Sequence, residues 1–387
     1  MNRRKICVIG AGVIGLSSAV RIQDKIPGID ITIIADTFSP HTTSDGSAGF
    51  WEPHLVNPDQ SEEIRKWGQA TFDYLLDLVQ SQNMPGSINS GIMLFWFDYF
   101  THVLVPAWYD FSIEHDDQML VPRNELNTTT RYLCCFGAQL VSGYDFSIEH
   151  DDQDPFWKDQ VIAYRRLEQK ERKLHPKNKG GIFYTSLVID VKSYLPWLME
   201  KFKSRGGKVQ FGTISSVNEI SDKFDLVINC VGVRAFQLLN DQDVKPIRGQ
   251  IIRVSAPWIK HFYVDFDRTE GTERYILPGR DYVILGGTGQ EGNWSTDINQ
   301  QDKDKIWESC LNLVPSLKNA QKIGDWVGLR PGRTKVRLEI EEKRRSSGCM
   351  VIHNYGHSGA GVTLHWGCAG NVAELAHAVL TTLSSRL

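Results

Sequence analysis

The stretch Lys5-Ile6-Cys7-Val8-Ile9-Gly10-Ala11-Gly12-Val13-Ile14-Gly15-Leu16-Ser17 decides the fold. A short apolar run of strand character stops at glycines spaced Gly10-x-Gly12-x-x-Gly15. A helix is expected from Leu16 to Ile22, and a second apolar run, Ile29 to Ile34, follows. That order, strand, turn, helix, strand, is one β-α-β unit. Gly10 permits the tight turn, Gly12 lets the backbone approach a pyrophosphate at the positive end of the helix, and Gly15 lets helix and strand pack closely. Val13 and Ile14 fall in the same phosphate-facing turn and belong to the candidate binding set. Asp36, about twenty residues beyond the last glycine, is placed to accept hydrogen bonds from an adenosine ribose. The pattern suits FAD and NAD alike.

Two more apolar runs end in glycine-marked turns: Leu226-Val227-Ile228-Asn229-Cys230 before Gly232, and Met350-Val351-Ile352-His353 before Gly356, Gly359 and Gly361. If strands so far apart share one sheet, the dinucleotide-binding domain is discontinuous and the intervening chain forms a second domain. Gly249 to Val254, with the pair Tyr275-Ile276-Leu277 and Val283-Ile284-Leu285, suits an antiparallel sheet there. The expected class is α/β. A Rossmann-type cofactor domain (1–60, 186–246 and 325–387) interleaves with a mixed or antiparallel-sheet substrate domain (61–185 and 247–324). One feature belongs to neither: the decapeptide Tyr109 to Gln118 recurs unchanged as Tyr144 to Gln153. A single repeat is not a solenoid, which stacks at least three units. It reads as a local duplication, with about 90 to about 137 as an inserted excursion.

At 387 residues the chain exceeds one compact core of ordinary size. Mixed charges and a formal net charge of -3 describe a soluble globular protein without a broad nucleic-acid surface. The seven cysteines, at 7, 134, 135, 230, 310, 349 and 368, include no C-x-x-C pair; neither a disulfide framework nor a metal site is expected. The most apolar stretch, Gly91 to Trp108, contains Asp98, His102 and Pro106 and falls short of a bilayer span. The basic start, Met1-Asn2-Arg3-Arg4-Lys5, lacks a small-residue cleavage site and does not read as a signal peptide. The final Ser385-Arg386-Leu387 is a conservative variant of the Ser-Lys-Leu address read by the peroxisomal import receptor. The expected compartment is the peroxisome matrix, with the cytosol as the alternative.

Further motifs accompany the first turn: Thr42-Thr43-Ser44-Asp45, Ala48-Gly49-Phe50-Trp51-Glu52-Pro53-His54, Arg248-Gly249-Gln250 and Tyr275-Ile276-Leu277-Pro278-Gly279. Later come Val327-Gly328-Leu329-Arg330-Pro331 and His353-Asn354-Tyr355-Gly356-His357-Ser358-Gly359. Together the chain resembles the D-amino acid oxidase and D-aspartate oxidase family over most of its length outside the insertion. The resemblance implies FAD as cofactor, with Thr42, Thr43 and Ser44 at its phosphates and Gly49, Phe50 and Glu52 along the flavin. It implies that Ser358, Gly359, Gly361, Val362 and Thr363 bring backbone amides and a helix N-terminus to the pyrimidine edge, where negative charge gathers on reduction. By the same resemblance Arg330 grips the substrate α-carboxylate through two parallel hydrogen bonds, and Tyr275 donates its hydroxyl to that carboxylate. His54 and Arg268, the latter seven residues before Tyr275, match acidic-substrate members, whereas Gly289 departs from them where a second arginine is usual.

The activity so implied is FAD-dependent oxidative deamination of acidic D-amino acids, D-aspartate and D-glutamate. Dioxygen is the acceptor, and the products are 2-oxo acid, ammonia and hydrogen peroxide. Orientation of the α-hydrogen, rather than a strong base, carries the reaction. The alternatives are an oxidase of neutral D-amino acids and an FAD-binding form that the insertion leaves inactive. An NAD-dependent dehydrogenase would explain the first turn but not the Thr-Thr-Ser cluster or the late glycine turn.

Overall fold

The computed structural model describes residues 4–82, 138–146, 154–174, 180–265, 272–341 and 347–384. The expected insertion, Arg268 and the Ser-Arg-Leu terminus lie outside the described residues, as does the duplicated decapeptide apart from Tyr144, Asp145 and Phe146.

The first half of the chain forms Lys5–Ile9 (β1), Val13–Lys25 (α1), Asp30–Ala35 (β2), Ser61–Gln82 (α2), Gln139–Asp145 (β3), Ile162–Arg166 (β4), Ile182–Val188 (β5) and Val191–Ser204 (α3). There follow Lys208–Phe211 (β6), Leu226–Asn229 (β7), Lys245–Ser255 (β8), Phe262–Asp265 (β9), Thr272–Pro278 (β10), Val283–Thr288 (β11) and Gln290–Glu291 (β12). Gln300–Leu313 (α4), Gln321–Gly332 (β13), Arg337–Ile340 (β14), Met350–Tyr355 (β15) and Gly361–Ser384 (α5) complete the major elements.

Two mixed sheets result. The first has six strands in the order β14-β15-β7-β1-β2-β6, parallel except for the β14–β15 pair. Its central strands are apolar because both faces are covered. Ile6 and Val8 of β1, with Leu226 and Ile228 of β7, join the core beneath α1 and α5, together with Leu16, Val20, Val372 and Ala376. Cys7 and Ile9 point the other way, to a core with Val217, Ile220, Val227 and Val351. The alternation is the two-residue period of a strand.

The second sheet has nine strands in the order β12-β8-β11-β10-β9-β3-β5-β4, with β13 along the other edge of β8. The expected pair of strands around Tyr275 and Val283 is the antiparallel β10–β11 pair, with Tyr275 opposite Gly286. Ile252, Val254, Ile276 and Leu285 bury one face under Ile306 and Cys310 of α4. Ile251, Tyr275, Leu277 and Ile284 face the main core on the opposite side.

The sheets are joined where Phe50 bridges Val188 at the end of β5 and Trp51 donates its backbone N–H to the Leu187 carbonyl at 2.8 Å. Helix α2 packs on α5, and β13 runs from Gln321 to Gly332 along β8. No helix among the described residues is long and apolar enough to cross a membrane.

Candidate active site

A cavity of about 920 Å³ runs from the end of β1 to the inner face of the second sheet. Its size lies at the upper end of small-molecule sites. At one end stand Gly10, Gly12, Val13 and Ile14, with Asp36 and the Thr42–Ser44 turn. At the other stand His54, Tyr275 and Arg330, with Phe50 and Glu52 between the two ends.

The end at β1 is built by close backbone approach. Gly10 has φ of +105°, and a β-carbon there would lie 2.5 Å from the Cys230 carbonyl oxygen; both facts demand glycine. A β-carbon on Gly15 would lie 2.0 Å from the Gly10 carbonyl oxygen, so Gly15 is what allows α1 to follow β1 so closely, although it does not line the cavity. The Val13 amide, at the start of α1, donates to Ser44 Oγ at 3.1 Å. Thr42 uses both its amide and its hydroxyl on Asp45 Oδ2, at 2.9 and 2.6 Å, and so caps the following turn; Thr43 is exposed beside it. Asp36 pairs with Arg234 and accepts from Thr213 at 3.2 Å and Thr37 at 3.1 Å.

In the middle, Gly49 has φ of +69°, and a β-carbon would lie 1.9 Å from the Ile189 carbonyl oxygen. Gly49 lies off the cavity wall and aims the chain that carries Phe50, Glu52 and His54 onto it. Thr363 Oγ1 holds that segment, donating to the Glu52 carbonyl at 2.7 Å and accepting from its amide at 3.1 Å. Burial, then the neighbouring Asp145, push the Glu52 carboxyl well above the ordinary carboxylate range. Thr363 does not line the cavity, but Ser358, Gly359, Gly361 and Val362 at the start of α5 do. Asn354 Oδ1 and His357 Nε2 are buried on cavity-lining residues and have no protein partner among the described residues. Unmatched polar atoms along a long cavity suit a ligand with polar groups of its own, and FAD is such a ligand.

On the wall formed by the second sheet, Arg330 Nη1 donates to the Thr288 carbonyl at 2.8 Å, while Nη2 lies 3.8 Å from Glu273 Oε2. Glycines make room here. A β-carbon on Gly249 would lie 2.5 Å from Arg330 Nη1, and one on Gly286 2.0 Å from the Tyr275 ring. Burial raises the Tyr275 phenol to about 12, with Arg330 partly opposing it, so the hydroxyl keeps its proton at neutral pH. His54 Nε2 lies 3.3 Å from Glu273 Oε1.

Several residues at the site were not singled out from the sequence. Glu273 precedes Tyr275 by two positions on β10, within the stretch where the register against β11 is irregular, so strand alternation alone does not point to it. Trp326, Gly328 and Arg330 share one face of β13 by that alternation and all line the cavity. Arg234 follows the Gly232 turn, where only its pairing with Asp36 reveals a role. Arg248, by contrast, is a buried anchor that donates to Asp302 at 2.9 Å and Gln250 at 2.7 Å.

The chain is similar to known proteins over nearly its whole length. The family model for DAO, FAD dependent oxidoreductase, matches residues 5–375. Human D-aspartate oxidase is 33% identical over 388 residues, covering 99% of this chain and 98% of that protein. The D-amino acid oxidase of Dugesia ryukyuensis is 32% identical over 381 residues, covering 97% and 98%. The crystal structure of glycine oxidase from Geobacillus kaustophilus superposes with a TM-score of 0.67 at 16% identity, covering 98% of this chain and 95% of that one.

Proposed function

Because the chain belongs to the DAO family of FAD-dependent oxidoreductases, we propose that it oxidises the α-carbon of small D-amino acids, acidic ones in particular. The observation that carries this reading is the position of Arg330 and Tyr275 on the wall of the cavity that begins at the Gly10 turn. A guanidinium binds a carboxylate through parallel hydrogen bonds, and the Tyr275 hydroxyl, which stays protonated, adds a third donor to the same anion. Pinning the α-carboxylate orients the α-hydrogen along the cavity, and such orientation supplies a large part of a barrier reduction. FAD, when bound, supplies the hydride acceptor. Gly10, Gly12, Val13, Ile14 and Asp36 would hold its adenosine diphosphate part, with Ser44 and Thr43 beside the phosphates; Phe50, Glu52, Ser358, Gly359, Gly361 and Val362 would border the flavin.

The acidic preference is supported by His54 at the substrate end and by the likeness to human D-aspartate oxidase. Glu273, 3.3 Å from His54, favours a second reading in which neutral D-amino acids are also accepted. The Ser385-Arg386-Leu387 end supports delivery to the peroxisome by its import receptor, where a peroxide-forming enzyme would belong. The direct test is anaerobic addition of single amino acids to the FAD-loaded protein. Loss of flavin absorbance with D-aspartate or D-alanine, and not with their L-enantiomers, is expected. Reduction by the L-enantiomers alone would overturn the proposal.

A further inference from the structure

We propose that Glu273 is a positioning residue that sets how strongly the substrate end of the cavity attracts negative charge, and thereby how far dicarboxylic D-amino acids are preferred over monocarboxylic ones. The inference rests on the reading of Arg330 as the α-carboxylate clamp. Glu273 does not line the cavity itself; it stands behind two residues that do. One of its oxygens lies 3.3 Å from His54 Nε2 and the other 3.8 Å from Arg330 Nη2. The opposite nitrogen of Arg330 is fixed by the Thr288 carbonyl at 2.8 Å, so the guanidinium is suspended between a neutral acceptor and a carboxylate. The Glu273 side chain also covers Gly289: a β-carbon there would lie 3.0 Å from Oε1. A larger residue at 289 and Glu273 in its present place would compete for the same space.

The electrostatic consequence follows from geometry. Arg330 and His54 are cation-forming side chains that line the cavity, and Glu273 sits against both. A substrate with one carboxylate faces this anion only across Arg330. A substrate with two brings its distal carboxylate towards the His54 side as well, where Glu273 offsets the attraction a second time. In a half-buried site such charge pairs act over several ångströms with little screening. Glu273 therefore weakens the advantage of dicarboxylic substrates, and its removal should sharpen that advantage.

The experiment compares the FAD-loaded wild type with Glu273→Gln, which keeps the size of the side chain and removes its charge. Malonate and acetate are titrated into each by calorimetry at one pH and ionic strength. Glu273→Gln is expected to bind malonate about tenfold more tightly, with acetate changing less than about threefold. Glu273→Asp, which restores the charge, should return the malonate-to-acetate ratio towards the wild type. The ratio of kcat/KM for D-aspartate over D-alanine should rise in Glu273→Gln in the same proportion. A residue serving only to hold the fold would weaken both ligands when replaced, so malonate binding that is unchanged or weaker in Glu273→Gln overturns the inference. Absence of turnover with every D-amino acid in the wild type would sink the proposed function, while the two titrations would still decide the role of Glu273.

Discussion

A methyl group added at Gly249 is expected to disable substrate capture while leaving the protein folded. The β-carbon of Gly249→Ala would lie 2.5 Å from Arg330 Nη1, 2.7 Å from Cζ and 2.9 Å from Nη2. Those distances are too short for any non-bonded contact, so one partner must move. The guanidinium is the tip of a flexible side chain, whereas Gly249 is fixed in β8 between β11 and β13, paired with Gly328 on the β13 side. Arg330 therefore yields and loses its 2.8 Å bond to the Thr288 carbonyl, the contact that aims it. A hydrogen bond involving a charged group is worth about 2 kcal/mol, which converts to roughly thirtyfold in kcat/KM. A swung guanidinium also loses parallel alignment with a carboxylate, so the loss should appear chiefly as a raised KM. Stability should hardly change, because Gly249 does not need a positive φ and its backbone pairing survives. Steady-state kinetics with D-aspartate and D-alanine, beside a thermal melt and the flavin-to-protein absorbance ratio, measure all three quantities. A kcat/KM within about twofold of the wild type in a fully flavinated Gly249→Ala protein would refute the placement of Arg330 in the clamp.

Two other perturbations follow from the same geometry. Gly10→Ala forces an L-residue to φ of +105° and drives a β-carbon to 2.5 Å from a backbone oxygen; the protein should purify without FAD and melt at a lower temperature, and normal flavin absorbance would contradict the role of this turn. His357 is held down to about 3 by burial and then by His365, and burial brings His365 to about 4, both from an ordinary 6.5. Their folded-state values are depressed, so the unfolded chain takes up protons first. Their contribution to stability is complete above pH 6.5 and is lost as pH falls towards 3. Glu52, raised by burial, acts with the opposite sign above its ordinary value of 4.5. Urea midpoints across that range for the wild type and His357→Asn isolate the histidine share: the variant should lose stability less steeply on acidification, and parallel curves would contradict the burial of a neutral His357.

Much of this was legible in the sequence wherever the signal is local. The turn from Lys5 to Gly15 is legible because its glycine spacing follows directly on a strand and opens a helix, although only Gly15 answers a local contact, with Gly10, while Gly10 and Gly12 meet Cys230 and Ser44. The β10–β11 pair is likewise local, and its apolar alternation places Tyr275 and Leu277 on one face. The substrate end is different in kind. Arg330, Tyr275 and His54 are distant in sequence and were marked by likeness to a family, while nothing in the neighbourhood of Glu273 signals that His54 and Arg330 will lie against it. That contact exists only because the segment after Phe50 crosses from one sheet to the other. Thr42 shows the converse limit. A threonine in a Thr-Thr-Ser cluster reads equally as phosphate ligand or helix cap, and the structure commits its hydroxyl to Asp45. Trp326 was missed because the glycines that admit its ring, Gly46 and Gly328, are far apart in the chain or read as part of another motif.

The measurement that bears most directly on the central claim is hydrogen peroxide release by the purified, FAD-supplemented protein with D-aspartate, D-glutamate, D-alanine and their L-enantiomers. Peroxide with the D-enantiomers only, fastest with the acidic pair and matched by equal ammonia, is the expected result. Turnover confined to D-alanine would overturn the acidic preference and leave the D-amino acid reading standing. Silence from every D-amino acid by a protein that holds its FAD would contradict the claim that this chain is an oxidase.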